Sequence, residues 1–473
     1  MPRLIAVSSR VQVEPEDGHA SRSGVAVALT AALRESNGFW FGWSGGATDA
    51  FTGQITFRRS DGVATATVDL EPQDIEEYAN GFAMRTLWPL FHERPAATGT
   101  RSGVSDGYAR LNYRFAETLA PLIESDDMVW VHDFPLIPLG ENLRDHGFAN
   151  RIGFFLHIPW PPQGLLASMP GAAQLVESMF AYDVIGFQTE ADRRAFSDFA
   201  TLRLGAKVEA ENVRLGVRVT RLLVCPMGLD TADFAGAVHS LAAKQAETRL
   251  VVSAGGRDMI LGVDRLDHAK GLAERFAAYA LLLATRPDLR DKVFLLQIAP
   301  PAAAEVPGYR KIREALDARS GAINGAFASI DWTPLSFVNQ AYSRDELFGI
   351  YRAARVGLVT PLRDGMNLVA KEYVAAQDPA DPGVLVLSRF AGAAAQLTHA
   401  VIVDPRSTQD MAEGIARALA MPLAERQERH KAMLETITSE DVRWWSRTFM
   451  EALAGTAPCD QPLEESVTAA GGA

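Results

Sequence analysis

The sequence contains little cysteine and no long apolar run. Only two of its 473 residues are cysteines, Cys225 and Cys459, and they lie far apart. Neither a disulfide framework nor a zinc-thiolate site follows from them. No stretch reaches the ~18 uninterrupted apolar residues of a membrane-spanning helix, and the apolar run near the N-terminus is too short for the core of a signal peptide. We therefore expect a cytoplasmic protein that does not associate with membranes.

The sequence also lacks an excess of positive charge. It has 46 basic and 58 acidic residues, a formal net charge of −12 at pH 7, and no basic cluster of five or more residues. Nucleic acids and anionic membranes are therefore poor candidates for partners. Serine-hydrolase elbows, P-loops, His-rich zinc patterns and strand-end DxD metal motifs are absent as well. An anionic ligand would have to be bound by a few local cations.

What the sequence does contain is an alternation of short apolar runs with helix-length segments. The apolar runs are continuous, as is typical of strands buried on both faces of a parallel sheet. The predicted strands are Leu4–Ser8, Met128–His132, Ile152–His157, Val184–Phe187, Met259–Val263, Val293–Ile298, Val356–Thr360, Val384–Leu387 and Val401–Val403. The pattern predicts an α/β protein, and the length predicts two or three domains.

Three segments interrupt this alternation. Gly45–Asp69 has the character of an antiparallel excursion, and Asp230–Gly256 is interpreted as a link between two doubly wound domains. Ser439–Leu453 is predicted to be a late helix capped by Ser439. The small, polar residues that follow, 456–473, are expected to be disordered.

Two cations follow a predicted strand in the second half of the chain. Arg265 comes directly after the strand, and Lys270 stands where the next helix begins. Ligands of α/β proteins bind at the carboxyl ends of strands, so these side chains suit a diphosphate. The alternative is that Asp264 and Asp267 pair with them in a surface salt-bridge cluster.

The segment Thr360–Glu372 follows another predicted strand and enters a helix. Backbone amides at Gly365–Asn367 are suited to bind phosphate or sugar hydroxyls. Asp364 could accept hydrogen bonds from a sugar, and Glu372 could accept those of a ribose. Alternatively, Asp364 is a helix N-cap and Glu372 a solvated helix residue.

In the first half, polar residues follow two fully apolar strands. Asp133 and His157 occupy such positions, which face the cleft at the sheet edge. A buried carboxylate is costly unless it is paired, so Asp133 implies a sugar or cation partner. His157 could equally be a satisfied core histidine. Gly24 opens a helix and would let a diphosphate approach the backbone, although a plain turn is as good an explanation.

Together these motifs resemble the trehalose-6-phosphate synthases, a family of retaining glycosyltransferases with the GT-B fold. The resemblance runs from Leu4 to about Leu453. It is carried by Val131-His132-Asp133, Ile152–Pro159, Asp264–Asp267 with Lys270-Gly271, Thr360–Asp378, Trp40–Trp43, Leu87–His92 and Trp332–Pro334.

The resemblance implies two Rossmann-like doubly wound domains facing a cleft. An acceptor-side domain would span residues 1–235 and a nucleotide-sugar-binding domain residues 236–438. The final helix, about 439–455, would cross back to the first domain.

The resemblance also implies roles for individual residues. The donor-binding residues would be Gly24, Arg265, Lys270, Tyr342, Asp364, Asn367, Leu368, Val369 and Glu372. The acceptor-binding residues would be Arg10, Trp88, Asp133 and Ile158. Asp133, His157, Arg265 and Lys270 would form the catalytic set. No metal or other cofactor is implied, and the nucleotide sugar is a substrate.

The implied reaction moves glucose from a nucleoside-diphosphate glucose, UDP-glucose being preferred, to glucose 6-phosphate, giving trehalose 6-phosphate. Two alternatives stay open. The same donor could serve another acceptor, such as glycerol 3-phosphate, another sugar or a cyclitol, or the chain could bind the sugar nucleotide without catalysis. The sequence also leaves open whether the chain forms a homo-oligomer.

The chain departs from the family pattern at three points. Ser23-Gly24 replaces a Gly-Gly pair, Ala79 replaces the second tyrosine of Glu-Tyr-Tyr-Asn, and Ala303 replaces an arginine. The last two positions belong to the family's clamp for the acceptor phosphate, so they put the identity of the acceptor in question.

Overall fold

Two β-sheets organise the chain, in agreement with the predicted α/β class. The computed structural model describes residues 2–11, 24–60, 62–94, 104–300 and 307–455. The expected tail, residues 456–473, lies outside the described residues, as do Ser23 and Ala303.

The first sheet has ten strands among the described residues, in the order β3-β4-β2-β1-β5-β6-β7-β10-β9-β8. The central strands pair in parallel, whereas β3 and the β9–β8 pair run antiparallel at the two edges. The strands are β1 Leu4–Arg10, β2 Phe39–Ala47, β3 Thr56–Ser60, β4 Val63–Leu70, β5 Met128–His132, β6 Arg151–Phe155, β7 Val184–Phe187, β8 Lys207–Glu209, β9 Asn212–Leu215 and β10 Arg218–Val224. The predicted antiparallel excursion corresponds only to the β3–β4 pair, since β4 itself pairs in parallel with β2.

The second sheet is parallel throughout the part of the chain that the structure describes, with the order β13-β12-β11-β14-β15-β16. Its strands are β11 Asp258–Val263, β12 Val293–Ile298, β13 Leu335–Val338, β14 Val356–Val359, β15 Val384–Ser388 and β16 Val401–Val403. This is the doubly wound order 3-2-1-4-5-6, which places a ligand crevice between β11 and β14, where the winding reverses.

Helices cover the faces of both sheets. They are α1 Gly24–Ser36, α2 Pro72–Asp74, α3 Trp88–Phe91, α4 Val104–Leu119, α5 Leu139–Asp145, α6 Gln163–Leu166, α7 Ala172–Ser178, α8 Glu190–Leu204, α9 Thr231–Ala237, α10 Leu241–Ala254, α11 Leu272–Thr285, α12 Pro307–Phe327, α13 Arg344–Ala353, α14 Leu368–Ala376, α15 Thr408–Leu419, α16 Leu423–Ser439 and α17 Val442–Gly455. A π-helix, Ile75–Leu87, joins α2 to α3 and contains Ala79. None of the described helices has the length and apolarity needed to cross a membrane.

Asp230–Gly256 joins the two sheets along the chain, between β10 and β11, but it is helical and packed rather than an open linker. This segment forms α9 and α10, and Phe234, Ala243 and Ala246 are buried in a core of the second sheet. Ser240 accepts a hydrogen bond from the Ala243 backbone N–H and so starts α10. The segment is rich in alanine, the strongest helix former, which accounts for its helical structure.

The last helix, α17, packs back on the first sheet, as expected. Phe449 lies over Gly153 and Gly186, where a Cβ atom would approach its ring to 2.7 and 2.9 Å. The helix starts later than predicted, because Asp441 rather than Ser439 accepts the backbone N–H of Trp444. Ser439 instead ends α16.

Candidate active site

The sequence motifs of the second half of the chain lie together at the point where the second sheet reverses its winding. Arg265 and Lys270 follow β11, and Asp364 follows β14. Gly271 adopts a left-handed backbone with φ +67°, and a Cβ atom there would lie 2.5 Å from the Thr360 carbonyl oxygen. The two loops are therefore packed against each other at the sheet edge.

Lys270 and Asp364 form an ion pair in which both side chains are largely buried. The Asn367 amide donates a second hydrogen bond to the same carboxylate oxygen, at 2.9 Å. Burial alone would raise the pKa of Asp364, but Lys270 and Asn367 stabilise the carboxylate and hold its pKa below the usual value. The predicted alternative of Asp364 as a helix cap is wrong, because Asn367 is the N-cap of α14.

The N-terminus of α14 lies beside this ion pair. Leu368 and Val369 are its first two residues, and backbone N–H groups at that position have no carbonyl partner within a helix. Gly365, just before, lies so close to the first domain that a Cβ atom would be 2.1 Å from the His157 carbonyl oxygen. The donor motif thus meets the first domain directly.

Glu372 is partly buried and not a solvated helix residue. It accepts a hydrogen bond from the Tyr351 hydroxyl at 3.0 Å. Burial raises its pKa, against the stabilising effects of Tyr351 and Arg344. Tyr342 lies on the wall of a cavity of about 650 Å³ that Leu296 and Ile298 of β12 also line.

Asp133 lies at the corresponding point of the first sheet, where the winding reverses between β1 and β5. Its carboxylate accepts the His157 backbone N–H at 3.1 Å. Burial raises its pKa to about 6, although N–H groups of Phe134, His157 and Ile158 and the charge of Arg265 favour the ionised form. Backbone amides and the nearby charge of Arg265 therefore partner this buried carboxylate in part, and a sugar partner stays a prediction.

The backbone of Asp133 is strained, with φ 74° and ψ 165°. Non-glycine residues rarely occupy this region, and it costs of order 1–3 kcal/mol. The surrounding strands hold it there, since the Asp133 N–H donates to the Phe155 carbonyl oxygen at 2.9 Å. Strain of this kind concentrates at functional sites.

His157 stands beside Asp133 and beside a second histidine. Its Nε2 lies 3.2 Å from Nδ1 of His132, so one ring donates a hydrogen bond to the other. Burial lowers the pKa of His157 to about 3, which makes it neutral near pH 7. Its buried Nδ1 has no hydrogen-bond partner among the described residues, so it can bind a ligand hydroxyl. Ile158, the next residue, is buried.

Trp88 connects the acceptor side to the donor side. The Arg265 guanidinium lies 5.7 Å from its ring centroid, and the His92 ring lies 4.1 Å away. Arg265 is otherwise exposed, so the cation–π contact orients it across the cleft. His92 is buried, and sequence reasoning assigned it no role.

Arg10 and Gly24 lie at the carboxyl edge of the first sheet. Arg10 ends β1 with its guanidinium 5.4 Å from the Trp43 ring centroid. Gly45, with φ +94°, makes room for it, since a Cβ atom would lie 2.5 Å from the guanidinium. Gly24 is the first residue of α1, as its sequence context predicts.

The alternative, in which Asp264 and Asp267 pair with Arg265 and Lys270 in a surface cluster, is wrong: Lys270 pairs with Asp364, and Asp264 has another partner. Asp264 is buried and pairs with Arg275 at 2.6 Å. Arg275 is itself fully buried and also donates to Gln297 and Thr360, at 2.7 and 3.1 Å. This network joins the ends of β11, β12 and β14 beneath the site. Sequence reasoning missed Arg275 because a helical arginine gives no sign that its side chain is buried.

Comparisons with known proteins agree with this geometry. The sequence model of glycosyltransferase family 20 matches residues 4–455. The trehalose-6-phosphate synthase of Sinorhizobium fredii is 42% identical over 460 residues, which cover 97% of this chain and 99% of that protein.

Two solved structures are similar over almost their whole length. An α,α-trehalose-phosphate synthase (UDP-forming) from Burkholderia xenovorans, in complex with glucose-6-phosphate, has a TM-score of 0.91 and 43% identity and covers 96% of this chain and 100% of that one. An Escherichia coli structure bound with UDP-2-fluoro glucose has a TM-score of 0.91 and 40% identity, with the same coverage. The predicted GT-B fold is thereby confirmed. Because the family model spans nearly the entire sequence, the chain belongs to glycosyltransferase family 20.

Proposed function

We propose that this chain is a retaining glucosyltransferase that moves glucose from UDP-glucose to glucose 6-phosphate and forms trehalose 6-phosphate. The observation that carries the proposal is the meeting of two half-sites. The Lys270–Asp364–Asn367 cluster of one domain lies next to the Asp133–His157 pair of the other. Similar proteins are solved with glucose-6-phosphate and with UDP-2-fluoro glucose, which supports both substrates.

The second domain would bind the donor. Arg265 and Lys270 would hold the diphosphate, together with the N-terminal amides of α14 at Leu368 and Val369. Asp364 would accept hydrogen bonds from glucose hydroxyls, and the Asn367 amide would donate hydrogen bonds to them. Glu372 would bind the ribose, the backbone near Tyr342 would meet the base, and Gly24 of the first domain would cover the diphosphate.

The first domain would bind the acceptor. Arg10, Trp88 and Asp133 lie along its cleft edge, and Ile158 marks the point of transfer. The neutral imidazole of His157 would bind a donor glucose hydroxyl through its Nδ1. Asp133 and His157 therefore position the sugars and do not act as covalent nucleophiles.

The reaction would follow a front-side path. The bond between the glucose anomeric carbon and the diphosphate oxygen breaks, and a bond to the acceptor hydroxyl forms on the same face. The acceptor hydroxyl proton passes to the leaving phosphate oxygen. Arg265 and Lys270 stabilise the negative charge that grows on the diphosphate, and this effect is strong in a closed, poorly hydrated cleft.

We also propose that transfer needs no metal ion, because Arg265 and Lys270 supply the positive charge that a metal would otherwise bring to the diphosphate. Treatment with a chelator should leave most of the activity. A complete loss of turnover that added divalent metal restores would contradict this proposal.

The function is tested by measuring UDP release from UDP-glucose with a panel of acceptors. We expect glucose 6-phosphate to support the highest kcat/KM, and glycerol 3-phosphate, glucose and a cyclitol to support much less. A preference for one of the other acceptors would replace the proposed acceptor, and binding of UDP-glucose without turnover of any acceptor would indicate a non-catalytic binder.

A further inference from the structure

An arginine of the second domain crosses the cleft beside the donor site. Arg363 immediately precedes Asp364 in the loop after β14. Its Nε lies 3.3 Å from an Oε1 atom of Glu93, and its Nη2 lies 3.5 Å from Oδ1 of Asp192. Glu93 and Asp192 both belong to the first domain, and all three side chains are at most one-quarter exposed. Partial burial makes such ion pairs stronger than surface pairs.

Asp192 connects this arginine to the acceptor side of the site. The same oxygen, Oδ1, accepts the backbone N–H of Trp160 at 2.9 Å. The Thr189 hydroxyl donates to the other oxygen at 2.5 Å. Trp160 ends the short segment that begins at His157. One carboxylate thus joins the His157 segment to the residue that precedes Asp364.

Glu93 provides a second cross-domain contact. It lies just past α3, which begins with Trp88, and its backbone has a left-handed φ of 57°. Its other carboxylate oxygen, Oε2, lies 3.5 Å from Nη2 of Arg406, which is also in the second domain. Two arginines of one domain therefore converge on a carboxylate of the other that stands in an uncommon backbone conformation.

We propose that Arg363, held by Asp192 and Glu93, is a positioning residue that sets Asp364 against His157 across the cleft. Most of the donor-binding groups lie on the second domain and only His157 and Gly24 on the first, so donor affinity depends on this contact weakly. The rate of transfer depends on this contact strongly, because the two half-sites must be aligned to within a fraction of an ångström. A misplacement of 1 Å lowers the rate about 10²-fold. The assignment rests on the proposed function.

The test compares three variants with a matched control. Arg363→Gln, Asp192→Asn and Glu93→Gln each remove one charge, and Asp192→Asn keeps an oxygen for the Trp160 N–H. Arg389→Gln is the control, because Arg389 lines the same interdomain cavity of about 410 Å³ but pairs with Asp404 of its own domain at 3.8 Å. Each protein is assayed for kcat, for the dissociation constant of UDP-glucose by calorimetry, and for thermal stability.

We expect Arg363→Gln to lower kcat by roughly 10- to 100-fold and to change the UDP-glucose dissociation constant by less than about threefold. Arg389→Gln should match the wild type. The double variant Arg363→Gln/Asp192→Asn should lose little more than the worse single variant, since both remove the same contact. A wild-type kcat in Arg363→Gln, additive losses in the double variant, or a weakening of donor binding as large as the loss of kcat would overturn the proposal.

Hydrogen–deuterium exchange gives a readout that does not require turnover. In Arg363→Gln, the segments 88–94 and 157–160 should exchange faster than in Arg389→Gln, because the cross-domain contact no longer protects them. Equal exchange in the two variants would contradict the positioning role of Arg363, and this conclusion does not depend on which reaction the protein catalyses. Failure of the wild type to use glucose 6-phosphate, with faster exchange in Arg363→Gln, would overturn the proposed acceptor and leave the contact between the domains supported. If Arg363→Gln does not fold, Glu93→Gln carries the same test, since the Glu93 side chain is more exposed than that of Arg363.

Discussion

Asp364 and Asp133 are carboxylates on opposite sides of the cleft, and their surroundings shift their pKa values in opposite directions. Asp364 pairs with a buried lysine, which keeps its pKa low. Asp133 forms no ion pair as close as that of Asp364 among the described residues; its carboxylate accepts backbone N–H groups, and burial raises its pKa to about 6. Asp364 is therefore more readily ionised than an ordinary aspartate, whereas the pKa of Asp133 lies near 6.

This difference predicts the pH dependence of activity. The ionised form of Asp133 accepts a hydrogen bond from the acceptor, so kcat/KM for the acceptor should rise as the pH increases through about 6. Asp133→Asn should have low activity without this rise. His157→Gln should retain it, because His157 remains neutral above a pKa of about 3. A rise near pH 6 that survives in Asp133→Asn would show that another group is responsible.

Asp133 also affects stability in a defined direction. Folding raises its pKa above the usual 3.8. Its contribution to the free energy of unfolding is therefore complete below pH ~4 and is lost as the pH rises through about 6.

Arg265 gives the cleanest test of diphosphate stabilisation. Its side chain is exposed and contacts Trp88, so Arg265→Ala should leave the melting temperature almost unchanged. Its kcat should fall by ~10²–10³-fold, the range for losing one transition-state donor. Lys270→Ala is less clean, because it also leaves the buried Asp364 carboxylate without its ammonium partner. Near-normal turnover in Arg265→Ala would rule out its role at the diphosphate.

At the scale of elements, the ends of β11, β12 and β14 are joined by Asp264, Arg275, Gln297 and Thr360. Gly262 allows this, because a Cβ atom there would lie 2.5 Å from the Arg275 guanidinium. The loops that carry Arg265 and Asp364 start from these strand ends. The buried network therefore supports the site from below.

Removing one member of this network should be costly. Arg275→Met leaves Asp264 as a buried charge without its ion-pair partner and should lower the free energy of unfolding by about 3–5 kcal/mol. The double variant Arg275→Met/Asp264→Asn should recover part of that loss, since no buried charge remains. Denaturant titration measures both. A double variant that is as unstable as the sum of the two single variants would show that the pair acts independently.

At the scale of the whole molecule, the sequence predicted the elements better than their contacts. Continuous apolar runs located β5, β7, β12 and β16 to the residue, because strands buried on both faces tolerate few polar side chains. The motif positions at strand ends followed from the parallel topology. The contacts between domains could not be predicted in this way. Arg363 and Asp192, for example, are 171 positions apart, and no sequence pattern links them.

Single charged residues were the hardest to interpret. Asp127, which stands beside Asp126 just before β5, has the local sequence context of a solvated strand start, but it is buried and pairs with Arg3 at 2.6 Å. Local sequence shows a charge and not its tertiary partner. For the same reason, the sequence did not predict that Asp264 pairs with Arg275 or that Lys270 pairs with Asp364.

The chain carries alanine at two positions that the family resemblance assigns to the clamp for the acceptor phosphate. Ala79 lies in the π-helix of the first domain, and Ala303 lies outside the described residues. A charge-assisted hydrogen bond contributes ~1.5–3 kcal/mol, so Ala79→Tyr with Ala303→Arg should lower the KM for glucose 6-phosphate by roughly tenfold or more.

An unchanged KM in the double variant, with tight binding in the wild type, would mean that another cation binds the phosphate. Single alanine substitutions at Arg22, Arg85, Arg310 and Lys311 would identify it. Arg85 pairs with Glu76 at 2.8 Å and Arg310 lies 3.9 Å from Glu314, so either would have to leave its partner.

Retaining transfer of glucose to glucose 6-phosphate is tested most directly by the stereochemistry of the product. UDP-glucose labelled with ¹³C at the anomeric carbon is incubated with glucose 6-phosphate and followed by NMR. We predict an α,α-linked disaccharide phosphate, with the donor's α configuration retained and one UDP released per product. A β configuration at the labelled carbon, or labelled free glucose as the sole product, would contradict it.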